Sequence, residues 1–422
     1  METPFILRRI GSSVVLSKSL IGRQVRRKSS YSKWTRIGKL PGRQCTVTQC
    51  NMDPTSFMDL QLQALIVYST FSLILINKLA EVLATMNVQV YFTVIFLVAL
   101  SSSRLSMVGA SPGSLSTAIL MRVDQSGKGD YQKIQDAIDA VPSNNTEVVF
   151  IWVKPGIYRE KIVVPADKPF ITLSGTKATT TIITWNDTGE IFDSPTFSVL
   201  ATDFVGRFLT IQNTYGAGAK AVALRVSADR VAFFECRILS HQDTLLDDTG
   251  RHFYRNCFIQ GDTDFICGNA ASLFEKCHLH SLSEESGAIT AQRRESPAED
   301  TGFIFLGCKL TGLKSALLGR PWGDYSRVVF AFTYMSNAIL PQGWDDWSDT
   351  SKQSTAFYGQ YKCYGPGAIT SKRVEWSRNL TSQEAAPFLT KNLIGGNSWI
   401  RPAPTHFKRA STSISNNANG NT

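Results

Sequence analysis

Between Phe234 and Leu279 the chain repeats one short pattern of aromatic, polar, Cys, polar and aliphatic positions three times: Phe234-Glu-Cys236-Arg-Ile238, Tyr254-Arg-Asn-Cys257-Phe-Ile259 and Phe274-Glu-Lys-Cys277-His-Leu279. Alternation within each copy predicts a strand with one buried face. The near-constant step from Cys236 to Cys257 to Cys277, roughly 20 residues each time, is the return distance of a solenoid coil. Phe305-Leu-Gly-Cys308-Lys-Leu310 is a fourth copy, reached after a longer interval. The intervening Ser281 to Asp300 is polar and punctuated by Gly and Pro, so it reads as a loop thrown out from one coil. Further strands are predicted at Val148 to Val153, Ile171 to Leu173, Thr181 to Trp185 and Phe204 to Gln212. Gln132 to Val141 has helical spacing, suited to capping the open end of a solenoid. The fold class expected is therefore all-β, with a short N-terminal capping helix.

The same register organises the polar positions. Lys220, Gln242 and Asp264 are evenly spaced along the chain, at about the interval of one coil. One coil per interval would stack the three side chains on an outer face, with rungs about 4.8 Å apart. Asp243, beside Gln242, then lies one rung from Asp264. Two carboxyls that close do not ionise independently, so one holds a proton where the other is charged. Such a pair can divide the work of nucleophile and general acid.

Charge excludes a nucleic-acid reading. The chain of 422 residues carries a formal +10, but residues 1 to 50 hold eleven Lys/Arg against Glu2 alone, which accounts for all ten. The remainder is balanced, so no basic face is expected on the folded part. Residues 1 to 85 read as a basic and apolar leader, and 86 to 110 as a secretory signal peptide with an apolar stretch at Val90 to Leu100 and small residues at Val108-Gly-Ala110. The run Ala64 to Ile76 is too short for a membrane span. The expected domain covers 111 to 402, followed by a polar flexible tail, 403 to 422.

Six of the eight cysteines lie beyond the leader, without the paired spacings of a zinc site. Two readings stay open for them: buried thiols stacked rung on rung, or rung-to-rung disulfides formed in an oxidising compartment. Asn144-Asn-Thr146, Asn186-Asp-Thr188 and Asn379-Leu-Thr381 are glycosylation sequons. His241, His252, His278 and His280 form no convincing metal set, and no metal or cofactor is expected. Gly109-Ala-Ser111-Pro-Gly113 matches a serine-hydrolase elbow, but Pro112 lacks the N–H that elbow requires.

Five ordered motifs carry a resemblance: Gly156-Ile-Tyr158-Arg-Glu160, Ala221-Val-Ala-Leu-Arg225, Gln242-Asp-Thr-Leu245, Asp264-Phe-Ile-Cys-Gly268 and Leu318-Gly-Arg-Pro-Trp322. Together, from Ala118 to Pro402, the chain resembles the plant pectin methylesterases, in their shorter class without an inhibitor-like pro-region. The resemblance implies a right-handed parallel β-helix that removes methyl esters from cell-wall pectin. It also implies a secreted, glycosylated, monomeric enzyme of the cell wall whose partners are methyl-esterified pectin and proteinaceous inhibitors. It makes Asp264 the nucleophile and Asp243 the acid and then base.

Chemistry supports those roles independently, since a carboxylate can attack an ester carbonyl while a neighbouring carboxyl protonates the departing methanol. Gln242 offers an amide donor to the oxyanion. Arg320 can pair with Asp264, hold it ionised and approach substrate carboxylates. Trp322 and Trp344 are expected to face sugar rings, and Thr196 to contact substrate. Three positions depart from the family pattern. Lys220 stands where Gln is common, giving a cation that can serve the oxyanion, while Leu246 and Cys267 replace rings and should flatten the cleft. Two other readings remain: a different pectin-active β-helix enzyme, and a silent wall-binding protein.

Overall fold

The computed structural model describes residues 117–409. The proposed leader, signal peptide and elbow-like motif lie outside the described residues, as does the tail beyond Arg409. Three sheets of twelve, seven and eight strands run alongside one another. Neighbouring strands within each are parallel and, one terminal pair of the twelve-stranded sheet apart, come from successive coils, as in Leu224–Ser227, Leu245–Thr249, Ile266–Gly268, Gly287–Gln292 and Ala316–Pro321 of the seven-stranded sheet. This is a parallel β-helix. Val231 pairs with His252, Arg237 with Phe258 and Phe258 with His278, so the offset between coils is the period legible in the sequence.

The repeated Cys pattern straddles a corner. Phe234, Arg255 and Glu275 each end a strand of the twelve-stranded sheet, and Arg237, Phe258 and His278 each begin one of the eight-stranded sheet. The polar residue between them is left-handed: Glu235, Asn256 and Lys276 have φ of 53°, 55° and 56°. That conformation is unfavourable for L residues and is tolerated singly, so each coil turns on one such residue. Cys236, Cys257, Cys277 and Cys308 follow the corner residues and are buried free thiols; no described cysteine is paired.

Inside, Phe233, Tyr254, Phe274, Phe305 and Phe330 stack rung on rung, with centroids 4.5 to 5.6 Å apart. The helix Ile134–Asp139 lays Ile134, Ala137 and Ile138 against this core. Three sequence expectations change. Phe204 to Gln212 is two strands, Val205–Arg207 and Thr210–Asn213, broken by left-handed Phe208. The loop expected from Ser281 to Asp300 contains a full strand, Gly287–Gln292, whose apolar Ala288 and Ile289 are buried between neighbouring coils. The segment placed in a flexible tail includes His406–Arg409, which pairs with Thr117–Val123 and covers the sheet's first edge.

Candidate active site

The seven-stranded sheet carries the predicted residues on and just before its strands. Gln242 pairs with Lys220 across a parallel bridge, as their spacing predicted. The next coil is shorter by one position: Asp243 N donates to the Thr263 carbonyl, and Leu245 and Leu246 pair with Ile266 and Cys267. The rung neighbour of Asp264 is therefore Asp243 itself, and Gln242 stands beside Thr263. The expected column of Lys220, Gln242 and Asp264 is corrected by one residue, and the correction brings the two carboxylates into register.

Both carboxylates are set by backbone conformation. Asp243 and Asp264 have φ of 57° and 50°, a region that short polar side chains tolerate and that recurs at functional sites. The Thr244 hydroxyl donates to the Gln260 carbonyl at 3.0 Å, fastening the segment behind Asp243. Gly261 makes room: a Cβ there would lie 2.2 Å from Phe265 Cβ and 2.5 Å from Thr244 Oγ1. Thr196, expected at the substrate, is fully buried and donates to the Gln212 carbonyl at 3.1 Å. It fastens its own coil as Thr244 does the reactive one, so its hydroxyl is not offered to a ligand.

Electrostatics separate the two acids. Arg320 grips Asp264 with Nε at 2.8 Å from Oδ1 and Nη2 at 2.6 Å from Oδ2, a bidentate pair. Asp243 receives no side-chain hydrogen bond from a described residue. Burial first, and the charge of Asp264 second, push the Asp243 carboxyl up to about 7, against the pull of Lys220 and Arg320. Burial also raises Asp264, opposed by the two guanidinium bonds. The shared proton accordingly belongs on Asp243, and the charge on Asp264.

Around the pair, Leu246, Cys267, Ala291 and Arg320 occupy one row across adjacent strands. Leu246, Cys267 and Ala291 form a buried floor with Val222, and Ile191 and Trp322 pack on it. Trp322 is half-buried beneath the Arg293 guanidinium, 4.9 Å from the ring centre. Trp344 contradicts its prediction: it is 1% exposed and stacks on Tyr358 at 4.3 Å. Its bridge to Gly319 turns the ring into the core, where a glycine opposite leaves it space. The exposed ring is instead Trp347, lying 3.9 Å below the Arg320 guanidinium. Its signal was present, as the second Trp of Gly-Trp-Asp-Asp-Trp, but nothing in that string says which of the two faces out. Phe192 was likewise missed; it is exposed, 4.7 Å from Arg225. Lys220 is exposed, at the edge of the pair.

Comparison with known proteins agrees with this fold. The Pectinesterase family model matches residues 121–397. The Arabidopsis thaliana protein named "Putative pectinesterase 11" is 61% identical over 304 residues, covering 71% of this chain and 86% of that one. Pectinesterase QRT1 of the same plant is 40% identical, covering 66% and 78%. The solved pectin methylesterase from carrot is 36% identical with a TM-score of 0.64, covering 67% of this chain and 94% of its own.

Proposed function

The chain belongs to the pectinesterase family, and from that premise we propose that it demethylates homogalacturonan through an aspartyl acyl-enzyme. The observation that carries this reading is the asymmetric pair: two carboxyls in register, of which Arg320 clamps Asp264 alone. Asp264, held ionised and oriented, attacks the carbonyl carbon of the methyl ester. The tetrahedral oxyanion takes its donors from Gln242 and Lys220. Protonated Asp243 gives its proton to the departing methoxide, releasing methanol and leaving an anhydride between Asp264 and the galacturonate carboxyl. Asp243, now ionised, takes a proton from water as the hydroxide attacks the anhydride. The free galacturonate acid departs, and both aspartates return to their starting states. Trp322 and Trp347 give the sugar chain two aromatic faces, and Arg320 stands where an adjacent galacturonate carboxylate can pair with it.

The setting follows from the same reading. The enzyme is secreted after cleavage near Ser111, works as a monomer in the plant cell wall, and is open there to proteinaceous inhibitors. Methylated pectin incubated with the purified protein tests the reaction. Methanol release with no shortening of the polymer is expected, together with hydroxamate beyond the amount that hydroxylamine forms with methylated pectin alone, as the amine intercepts the acyl-enzyme. Chain cleavage, or methanol release that never yields that excess, would overturn it.

A further inference from the structure

Behind the cleft, on the strand that follows Asp243, Asp247 lies fully buried. A carboxylate there is costly unless its oxygens are bonded. His252 Nδ1 is 2.6 Å from Oδ1, the Tyr254 hydroxyl donates to the same oxygen at 2.7 Å, and the Ser272 hydroxyl donates to Oδ2. His252 is also fully buried, and its Nε2 lies 2.7 Å from the Ala228 carbonyl. Both ring nitrogens therefore face oxygens, and an ionised carboxylate opposite a carbonyl requires an imidazole that carries both protons. A neutral pair would place the carboxyl proton on the very oxygen that already accepts from Tyr254; the ionised pair uses every donor.

We infer that Asp247 and His252 form an internal ion pair that positions the reactive rungs. The placement of its partners carries the inference. Ala228 follows the strand Leu224–Ser227 in the coil whose front edge is Lys220; Asp247, His252 and Tyr254 belong to the coil of Asp243; Ser272 belongs to the coil of Asp264. The network sutures from within the three coils that present the site on the outer face. A slip of one coil against the next would change the distance between Asp243 and Asp264. Neither member touches substrate, so both are positioning residues. The charged and titratable groups facing His252 are Asp247, Tyr254 and Asp229, the last tied to Arg230 and Arg251. Burial disfavours the imidazolium, and the Asp247 charge and hydrogen bond outweigh it, so His252 titrates above the usual histidine range.

The inference rests on the proposed function only through the reactive pair, and the first arm of its test is independent of activity. Nitrogen-15 NMR of histidine-labelled wild-type enzyme, which has five histidines, should show at pH 7 one imidazole with two ring N–H protons, in contact with the Tyr254 ring. A neutral imidazole there at the same pH would overturn the ion pair. In the second arm, His252→Gln should lower kcat roughly ten- to hundredfold with KM unchanged, the size expected of a small misplacement of reacting groups. A variant that folds with wild-type kcat and pH profile would overturn the positioning role, whatever its melting temperature.

Discussion

Asp243 and Asp264 share one backbone conformation on neighbouring rungs, yet only Asp264 is held by a cation, gripped at both oxygens by Arg320. Register makes the two acids alike in position, and the arginine makes them unlike in charge. The first expectation concerns roles. Asp264→Asn should abolish methanol release while keeping the fold, since an amide is nearly isosteric but a poor nucleophile. Asp243→Asn should lower turnover about a hundredfold or more, the range for a lost general acid. Retention of a tenth of wild-type turnover by either variant would contradict the division of labour.

The pH dependence has a definite sign. In the proposed reaction Asp243 must hold its proton to protonate methoxide, and burial with the Asp264 charge raises its carboxyl to about 7. Turnover should therefore be sustained below pH 7 and fall as pH rises through it. Lys220→Gln removes a cation that pulls Asp243 down, so the alkaline limb should move upward. A limb unmoved by this change would separate it from Asp243.

The same group makes a stability forecast. Its folded value is raised from 3.8 to about 7. Between those values the native state binds the extra proton, so stability falls as pH rises through the interval. Asp243→Asn should escape that loss, by about 4 kcal/mol at most, with no difference from wild type below pH 3.8. Denaturant titrations at pH 3.5 and 8 would check it, and a variant less stable than wild type at pH 8 would refute the burial argument.

Lys220 and Gln242 stand side by side on adjacent coils, where the proposed oxyanion would form. If both donate, Lys220→Ala should lose much of kcat and Lys220→Gln should recover part of it, because an amide restores a directional donor. Equal, near-normal turnover in both variants would leave the oxyanion to Gln242.

The two tryptophans should separate cleanly. Trp344→Ala opens a core cavity and should cost about 3–5 kcal/mol of stability, read as a lower denaturation midpoint. Trp347→Ala should leave stability near wild type and raise KM for pectin, since its ring is exposed beneath Arg320. A Trp347 variant with unchanged KM would remove this ring from the sugar path.

What the sequence determined by itself was periodic. Each coil must return its apolar residues to one interior, so the spacing of Cys236, Cys257 and Cys277 betrayed the solenoid, and the motif spacing brought Asp243 and Asp264 to one face. Tertiary structure decided whatever depends on a one-residue choice of phase. It moved Asp243 onto Asp264 in place of Gln242, turned Trp344 inward and Trp347 outward, and closed Thr196 over its own coil. Successive residues of an extended strand point to opposite faces, so a single-residue shift exchanges core for cleft. Left-handed corners such as Glu235 and Asp243 absorb that shift, and residue type alone does not mark them.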